Sequence, residues 1–165
     1  MAAGKSTVAQ RLAERFDRSA HVRGDTFRRS VVSGRAEMSA NPTKEAIDQL
    51  RLRYELAASC ADRYVEAGFT TVLQDVVVGP MLAEMVNLIV TRPLAVIVLA
   101  PSATEVQRRE HQREKTGYSD FTPAAFDTAL RTETPQLGLW LDTSNHSVDE
   151  TVDAILASAE SEALV

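Results

Sequence analysis

Helical and strand patterns alternate along the whole sequence, and this alternation constrains the fold more than any other feature. The clearest strand pattern is residues 94–100, Leu-Ala-Val-Ile-Val-Leu-Ala, an apolar run typical of a strand buried on both faces of a parallel sheet. Residues 19–23, 69–74 and 137–141 are predicted to be further strands, with helical patterns between them. Such alternation predicts an α/β fold with a mostly parallel sheet.

Capping signals and periodicity predict where the helices begin and end. The capping boxes at residues 102–105 and 147–150 each start a helix, and the second of these helices is expected to fray after Ser158. A long helix over residues 43–67 is bounded by a preceding proline and a following glycine. The remaining helices are predicted over residues 5–16 and 81–90 and from Pro123 onward.

The composition narrows the class of function. A length of 165 residues predicts a single domain over residues 1–165, and the formal net charge of −5 argues against a nucleic-acid partner. The sequence contains no apolar run of the roughly 18 residues that cross a membrane and no signal-peptide pattern, so we expect a cytoplasmic protein. The lone cysteine, Cys60, excludes an internal disulfide and a multi-cysteine metal site. The sequence is compatible with an oligomer.

Ala3, Gly4, Lys5, Ser6 and Thr7 lead directly into the first predicted helix, in the order of the second half of a Walker A loop. Glycine lets the backbone approach phosphates, and the N–H groups of a helix N-terminus bind anions. We therefore predict that these five residues bind ATP, with Lys5 reaching the β- and γ-phosphates and the Ser6 hydroxyl ligating Mg²⁺. The alternative is a flexible start to an ordinary helix.

Charged residues follow the first predicted strand, at the edge of an open α/β sheet where ligands bind. Asp25 is predicted to be the general base that activates an acceptor hydroxyl. Its alternative role is the N-cap of the helical residues that follow. Arg28, with Arg29 beside it, is predicted to hold an anionic or polar acceptor, or else to be a solvated helix residue.

Three further candidates lie on later elements. Asp75 ends strand 69–74, where a Walker B acid would stand, and is predicted to hold Mg²⁺ through water or to contact the substrate; the alternative is a turn former. Arg53, on helix 43–67, is a candidate for lining the acceptor site, although most charges on a helix are solvated. Thr143 follows the last strand, where adenine is often contacted in P-loop kinases.

An arginine-rich segment is predicted to form a lid at about residues 105–120. Its alternating charge by default indicates a solvent-exposed helix with ion pairs between successive turns. In a kinase, an arginine-rich helix at this place, after the strand that here is residues 94–100, closes over the nucleotide. Arg109 and Arg113 are the predicted catalytic contacts. Residues 116–119, Thr-Gly-Tyr-Ser, are the predicted hinge.

Taken in order, residues 3–7, 24–28, 74–76, 108–109 and 141–144 resemble the motifs of P-loop kinases of the AAA_33 type, close to chloramphenicol phosphotransferase-like and zeta-toxin-like proteins. The resemblance implies a three-layer α/β/α fold with a five-stranded parallel sheet in the order 2-3-1-4-5. It also implies ATP, Mg²⁺ and an aspartate base after the second strand, which here is Asp25. The first strand of that order, and the glycine that opens the full loop, are expected to lie upstream of Met1.

Together these features predict an ATP-dependent phosphotransferase that moves the γ-phosphoryl group to a hydroxyl of a small molecule. One alternative is a nucleotide or polynucleotide kinase, and the acidic balance argues against the polynucleotide version. The other is a non-catalytic nucleotide-binding module of a regulatory or toxin type. Members of the resembled group phosphorylate diverse hydroxyl acceptors, so the sequence leaves the acceptor open.

Overall fold

The computed structural model describes residues 2–111 and 123–165, and its elements follow the predicted alternation. Within these ranges, no helix has the length and apolar character needed to cross a membrane. The elements in chain order are α1 (Lys5–Ala13), β1 (Ser19–Arg23), α2 (Gly24–Ser30), α3 (Lys44–Glu66), β2 (Thr70–Gln74), α4 (Met81–Leu88), β3 (Ile97–Leu99), α5 (Ala103–His111), α6 (Pro123–Thr128), a π-helical turn (Ala129–Glu133), β4 (Leu139–Leu141) and α7 (Val148–Glu162).

The strands pair in parallel, as predicted. In the first pair, β1 lies beside β2 in a register that sets Ser19 opposite Thr70 and Arg23 opposite Gln74. In the second pair, β3 lies beside β4, with Ile97 opposite Leu139. Within the described part of the chain these pairs are separate sheets, and they correspond to the pairs 2-3 and 4-5 of the implied order. That order sets its first strand between the two pairs.

Helices cover both faces of the strands. Strand alternation directs His21 toward α1, where its Nδ1 lies 3.0 Å from Gln10 Oε1, while the buried neighbour Val22 points to the opposite face. Helices α3 and α4 build a core on that opposite face, around Tyr54 and Met85. On the α1 face, α1 lies against β1 and β2 and also joins the second strand pair, through a cluster of Val8, Val152, Ile155, Ile97, Leu99 and Leu141. Helix α1 therefore packs against both strand pairs.

Local signals predicted most element ends. The Thr43 hydroxyl accepts a hydrogen bond from Ala46 N at the start of α3, and Ser147 and Glu150 form the predicted capping box of α7. The prediction that the tail frays after Ser158 is wrong, because α7 continues to Glu162. Beyond α7, the Ala163 carbonyl accepts a hydrogen bond from Val96 N, and Val165 N donates to the Leu94 carbonyl. Residues 94–96 therefore bond to the C-terminal residues, and β3 spans only Ile97–Leu99 of the predicted strand 94–100.

Candidate active site

The loop into α1 has the conformation that its glycine predicts. Gly4 adopts a left-handed backbone with φ of 82°, which a side chain would strain, and its carbonyl accepts hydrogen bonds from Thr7 N and Val8 N, each at 3.0 Å. The N-terminus of a helix attracts anions, because the helix dipole and the first N–H groups are directed there. The helix that begins at Lys5 places such an N-terminus directly after Gly4.

The Ser6 hydroxyl ties this loop to the end of β2. Ser6 Oγ donates to Gln74 Oε1 at 3.0 Å, and Gln74 is the last residue of β2, directly before Asp75. The sequence set Gln74 in the motif of residues 74–76, with an amide to offer beside Asp75, but indicated no partner for it. Its position at the end of a buried strand was visible in the sequence, but its pairing with a serine 68 residues away depends on the tertiary structure.

Asp75 lies beneath the start of α2 in a buried ion pair. Its side chain is 2% exposed and that of Arg53 is 8% exposed, and Arg53 Nε donates to Asp75 Oδ2 at 2.8 Å. Asp75 Oδ1 also accepts from Val76 N at 2.6 Å, and the Tyr54 hydroxyl donates to the Val76 carbonyl at 2.8 Å. Several elements thus fix one orientation of this carboxylate.

Gly24 is the residue that lets Asp75 occupy this position. A Cβ on Gly24 would lie under 3.0 Å from the Asp75 carboxylate, closer than real Cβ atoms approach other atoms. The β1–β2 register explains this contact. Arg23 is opposite Gln74 at the ends of the two strands, so the residues that follow them, Gly24 and Asp75, also lie side by side. In the structure, Asp75 and Arg53 are bonded to each other. The role of Asp75 in holding Mg²⁺ and the role of Arg53 in lining the acceptor site stay predictions.

Asp25 lies in the first turn of α2 and is not the helix N-cap, which is Arg23, so the N-cap alternative is wrong. Both of its carboxylate oxygens are bonded: Arg28 Nε lies 3.0 Å from Oδ1 and Arg29 Nε lies 2.6 Å from Oδ2. Burial raises the pKa of Asp25, but the hydrogen bond and charge of Arg28 and the charge of Arg29 outweigh it and hold the pKa below its ordinary value. Asp25 is therefore an ionised carboxylate at neutral pH, and 37% of its side chain is exposed.

A second group of predicted residues meets after β3 and β4. Arg109 Nη2 donates to the Thr143 carbonyl at 3.0 Å, and Arg109 Nε lies 2.6 Å from Glu105 Oε1. Arg108 bonds the same carboxylate, and its hydrogen bonds, with those of Arg109, lower the pKa of Glu105 to about 2 despite the opposing effect of burial. The structure thus brings Arg109 and Thr143 together. Arg113, the predicted hinge and the lid beyond residue 111 lie outside the described residues.

The chain resembles known proteins in both its sequence family and its fold. A family model of an AAA domain, AAA_33, matches residues 1–135. The chain belongs to this family. A candidate kinase from Chloroflexus aurantiacus has a similar crystal structure, with a TM-score of 0.59 and 14% sequence identity over 96% of this chain and 91% of that chain. No curated protein matches in sequence.

Membership of the AAA_33 family gives the chain a kinase-like, nucleotide-binding function, and the structural similarity agrees with the predicted α/β fold. The residues observed here fit such a ligand. A left-handed glycine leads into the N-terminus of α1, where a lysine and the exposed Ser6 follow. Anionic phosphates would find donors at this loop.

Proposed function

We propose that this protein transfers the γ-phosphoryl group of ATP to a hydroxyl of a small molecule. One observation carries the proposal: the β1–β2 register and the Ser6–Gln74 bond bring the phosphate loop and the Gly24–Asp25 turn to the same edge of the sheet. A phosphotransferase needs a donor site and a base at one such edge. ATP with Mg²⁺ supplies the migrating phosphoryl group when bound.

The residues of the chain divide the remaining work among them. The backbone from Ala3 to Thr7 and the ammonium group of Lys5 hold the phosphates. The Ser6 hydroxyl oxygen would ligate Mg²⁺, because donating its hydrogen to Gln74 leaves its lone pairs available. Asp25 accepts the proton of the acceptor hydroxyl as that oxygen bonds to phosphorus and the bond to the ADP oxygen breaks. Arg29, whose side chain is 68% exposed, is the partner that Asp25 gives up to receive this proton.

Arg109 and Thr143 complete the nucleotide side of the site in this proposal. Arg109 is bonded to Glu105 and to the Thr143 carbonyl, so it lies beside the end of β4. The adenine of a bound nucleotide could be contacted there. The Thr143 hydroxyl is buried and has no hydrogen-bond partner among the described residues, an unsatisfied group that a contact with bound nucleotide would satisfy. Residues 105–120 remain the proposed lid, and Arg113 a proposed contact within it.

The test is the variant Asp25→Asn, assayed with labelled ATP and a panel of hydroxylated metabolites and antibiotics. Loss of the base should reduce transfer by about 10²–10⁴-fold and leave ATP affinity nearly unchanged. The matched control is Asp48→Asn, which also removes a carboxylate from an ion pair, at an exposed position of α3. Transfer by Asp25→Asn at the wild-type rate would remove Asp25 from the mechanism.

A further inference from the structure

A cavity of about 60 Å³ opens between α2, the following segment 31–38 and α3. The wall of the cavity is mostly apolar. Two charged residues, Arg28 and Arg53, also line it, and both contact residues of the candidate site. Arg28 bonds Asp25, and Arg53 bonds Asp75. The cavity is therefore separated from the proposed base by a single side chain.

The segment over this cavity is held down by α3 and α2. Gln49 Nε2 donates to the Gly34 carbonyl at 2.8 Å, and Gln49 Oε1 accepts from Ala36 N at 2.9 Å. Glu37 accepts two hydrogen bonds from Arg28 Nη1, each at 2.7 Å. These contacts keep the cavity open rather than letting the segment collapse onto apolar side chains.

The size of the cavity limits what enters it. About 60 Å³ is less than half of the ~150 Å³ that admits a benzene ring, so the enclosed part takes a small branched alkyl group. Leu52 and Leu56 also line the cavity, and they remain 49% and 45% exposed at adjacent turns of α3. A larger apolar body would lie against these two side chains, outside the enclosed part.

The charges of the wall discriminate between acceptor classes. Arg28 is bonded to Asp25 and Glu37, and Arg53 is bonded to Asp75. Among the residues that line the cavity, each guanidinium therefore already has a carboxylate partner, and a phosphate or carboxylate on the acceptor would have to break an ion pair. The Arg53–Asp75 pair is buried, so separating it would carry a desolvation cost that a neutral acceptor avoids, whereas the carboxylate partners of Arg28 are 37% and 47% exposed.

We propose that this cavity receives the acceptor, and that the acceptor is a neutral alcohol with a small branched apolar group rather than a nucleotide or sugar phosphate. This inference rests on the proposed function, since it names the acceptor of the same site. The apolar group enters between α2 and α3, and the hydroxyl lies toward Asp25 in the place of the Arg29 guanidinium, while the Arg28–Asp25 and Arg53–Asp75 pairs stay intact. The prediction that Arg28 holds an anionic or polar acceptor is narrowed accordingly: in this proposal Arg28 holds Asp25 and, through Glu37, the segment 31–38 over the cavity.

Binding is measured by ligand-observed NMR with 3-methylbutan-1-ol and with 3-methylbutanoate, which has the same branched skeleton and a negative charge. The alcohol should bind at least tenfold more tightly than the carboxylate. Ala36→Leu, which fills the cavity from its half-buried wall, should weaken alcohol binding at least tenfold. Ala40→Leu, the same change at an exposed position that does not line the cavity, should leave it unchanged.

A second variant guards against an indirect effect of Ala36→Leu. Leu56→Ala enlarges the half-exposed side of the cavity and should favour bulkier alcohols over 3-methylbutan-1-ol. Equal binding of the carboxylate, no binding of the alcohol, or insensitivity to Ala36→Leu would each overturn the inference. Asp25-dependent transfer to AMP or glycerol 3-phosphate in preference to neutral alcohols would overturn it while upholding the phosphotransferase. Alcohol binding without transfer would leave the ligand class standing and remove the proposed function.

Discussion

Replacing Gly24 with alanine tests how the two strand ends are joined at the candidate site. A Cβ at this position would overlap the Asp75 carboxylate, which Arg53 and Val76 N hold in place. Asp75 is only 2% exposed, so no solvent-filled space lies beside it. The carboxylate must leave its ion pair, or the backbone of α2 must move away from β2.

The expected loss of stability follows from the cost of the clash, less a small gain from alanine in a helix. Overpacking a tight core site costs about 1–3 kcal/mol, and separating the partners of a buried ion pair costs about 3–5 kcal/mol. Alanine is better than glycine within a helix by about 1 kcal/mol, and Gly24 is the first residue of α2, so this gain is at most partial. We expect Gly24→Ala to lower the free energy of unfolding by about 2–4 kcal/mol.

Urea denaturation followed by circular dichroism measures this change, with Thr26→Ala, at an exposed position of the same helix, as the control. Thr26→Ala should stay within about 0.5 kcal/mol of wild type. The decisive comparison repeats Gly24→Ala in an Asp75→Ala background. There the Cβ meets no carboxylate, so the cost of Gly24→Ala should nearly vanish, giving a coupling energy equal to the lost cost, about 2–4 kcal/mol. The same cost in both backgrounds would refute the contact as the cause.

Three other predictions follow from the described side chains. Arg29→Ala removes a charge that lowers the pKa of Asp25, so that pKa should rise and the acid limb of the kcat/KM profile should move to higher pH; an unmoved limb would count against Asp25 as the base. The pKa of Glu105 is lowered from 4.5 to about 2 in the folded protein, so the ionised carboxylate stabilises the fold fully above pH 4.5, and this stabilisation is lost as pH falls toward 2. In an acid titration of the free energy of unfolding, Glu105→Gln should lack the loss of stability between these pH values. Asp62 accepts hydrogen bonds from Val90 N at 3.1 Å and Thr91 N at 3.0 Å, so Asp62→Ala should destabilise the fold by about 1–3 kcal/mol in urea denaturation, and Asp48→Ala should cost less than about 1 kcal/mol.

The sequence by itself determined the features that depend on neighbouring residues. The capping box at Ser147, the N-cap at Thr43 and the limits of β1 are local, because each depends on groups a few residues apart. The left-handed Gly4 before α1 is local in the same way, and the phosphate loop was therefore predictable. The order of strands and helices fixed the α/β class, since alternating elements of this kind pack as a parallel sheet with helices on its faces.

Only the tertiary structure decided which side chains meet at the site. Ser6 bonds Gln74 across 68 residues, and Arg53 bonds Asp75 across 22 residues. No periodicity or spacing encodes such pairs, because they depend on the register of β1 on β2 and on how α3 crosses the two strands. The same register leaves no room at Gly24 for a side chain, a requirement that the sequence did not indicate. The phosphate loop was therefore predictable from the sequence, whereas the partners of Ser6 and Asp75 became known only from long-range packing.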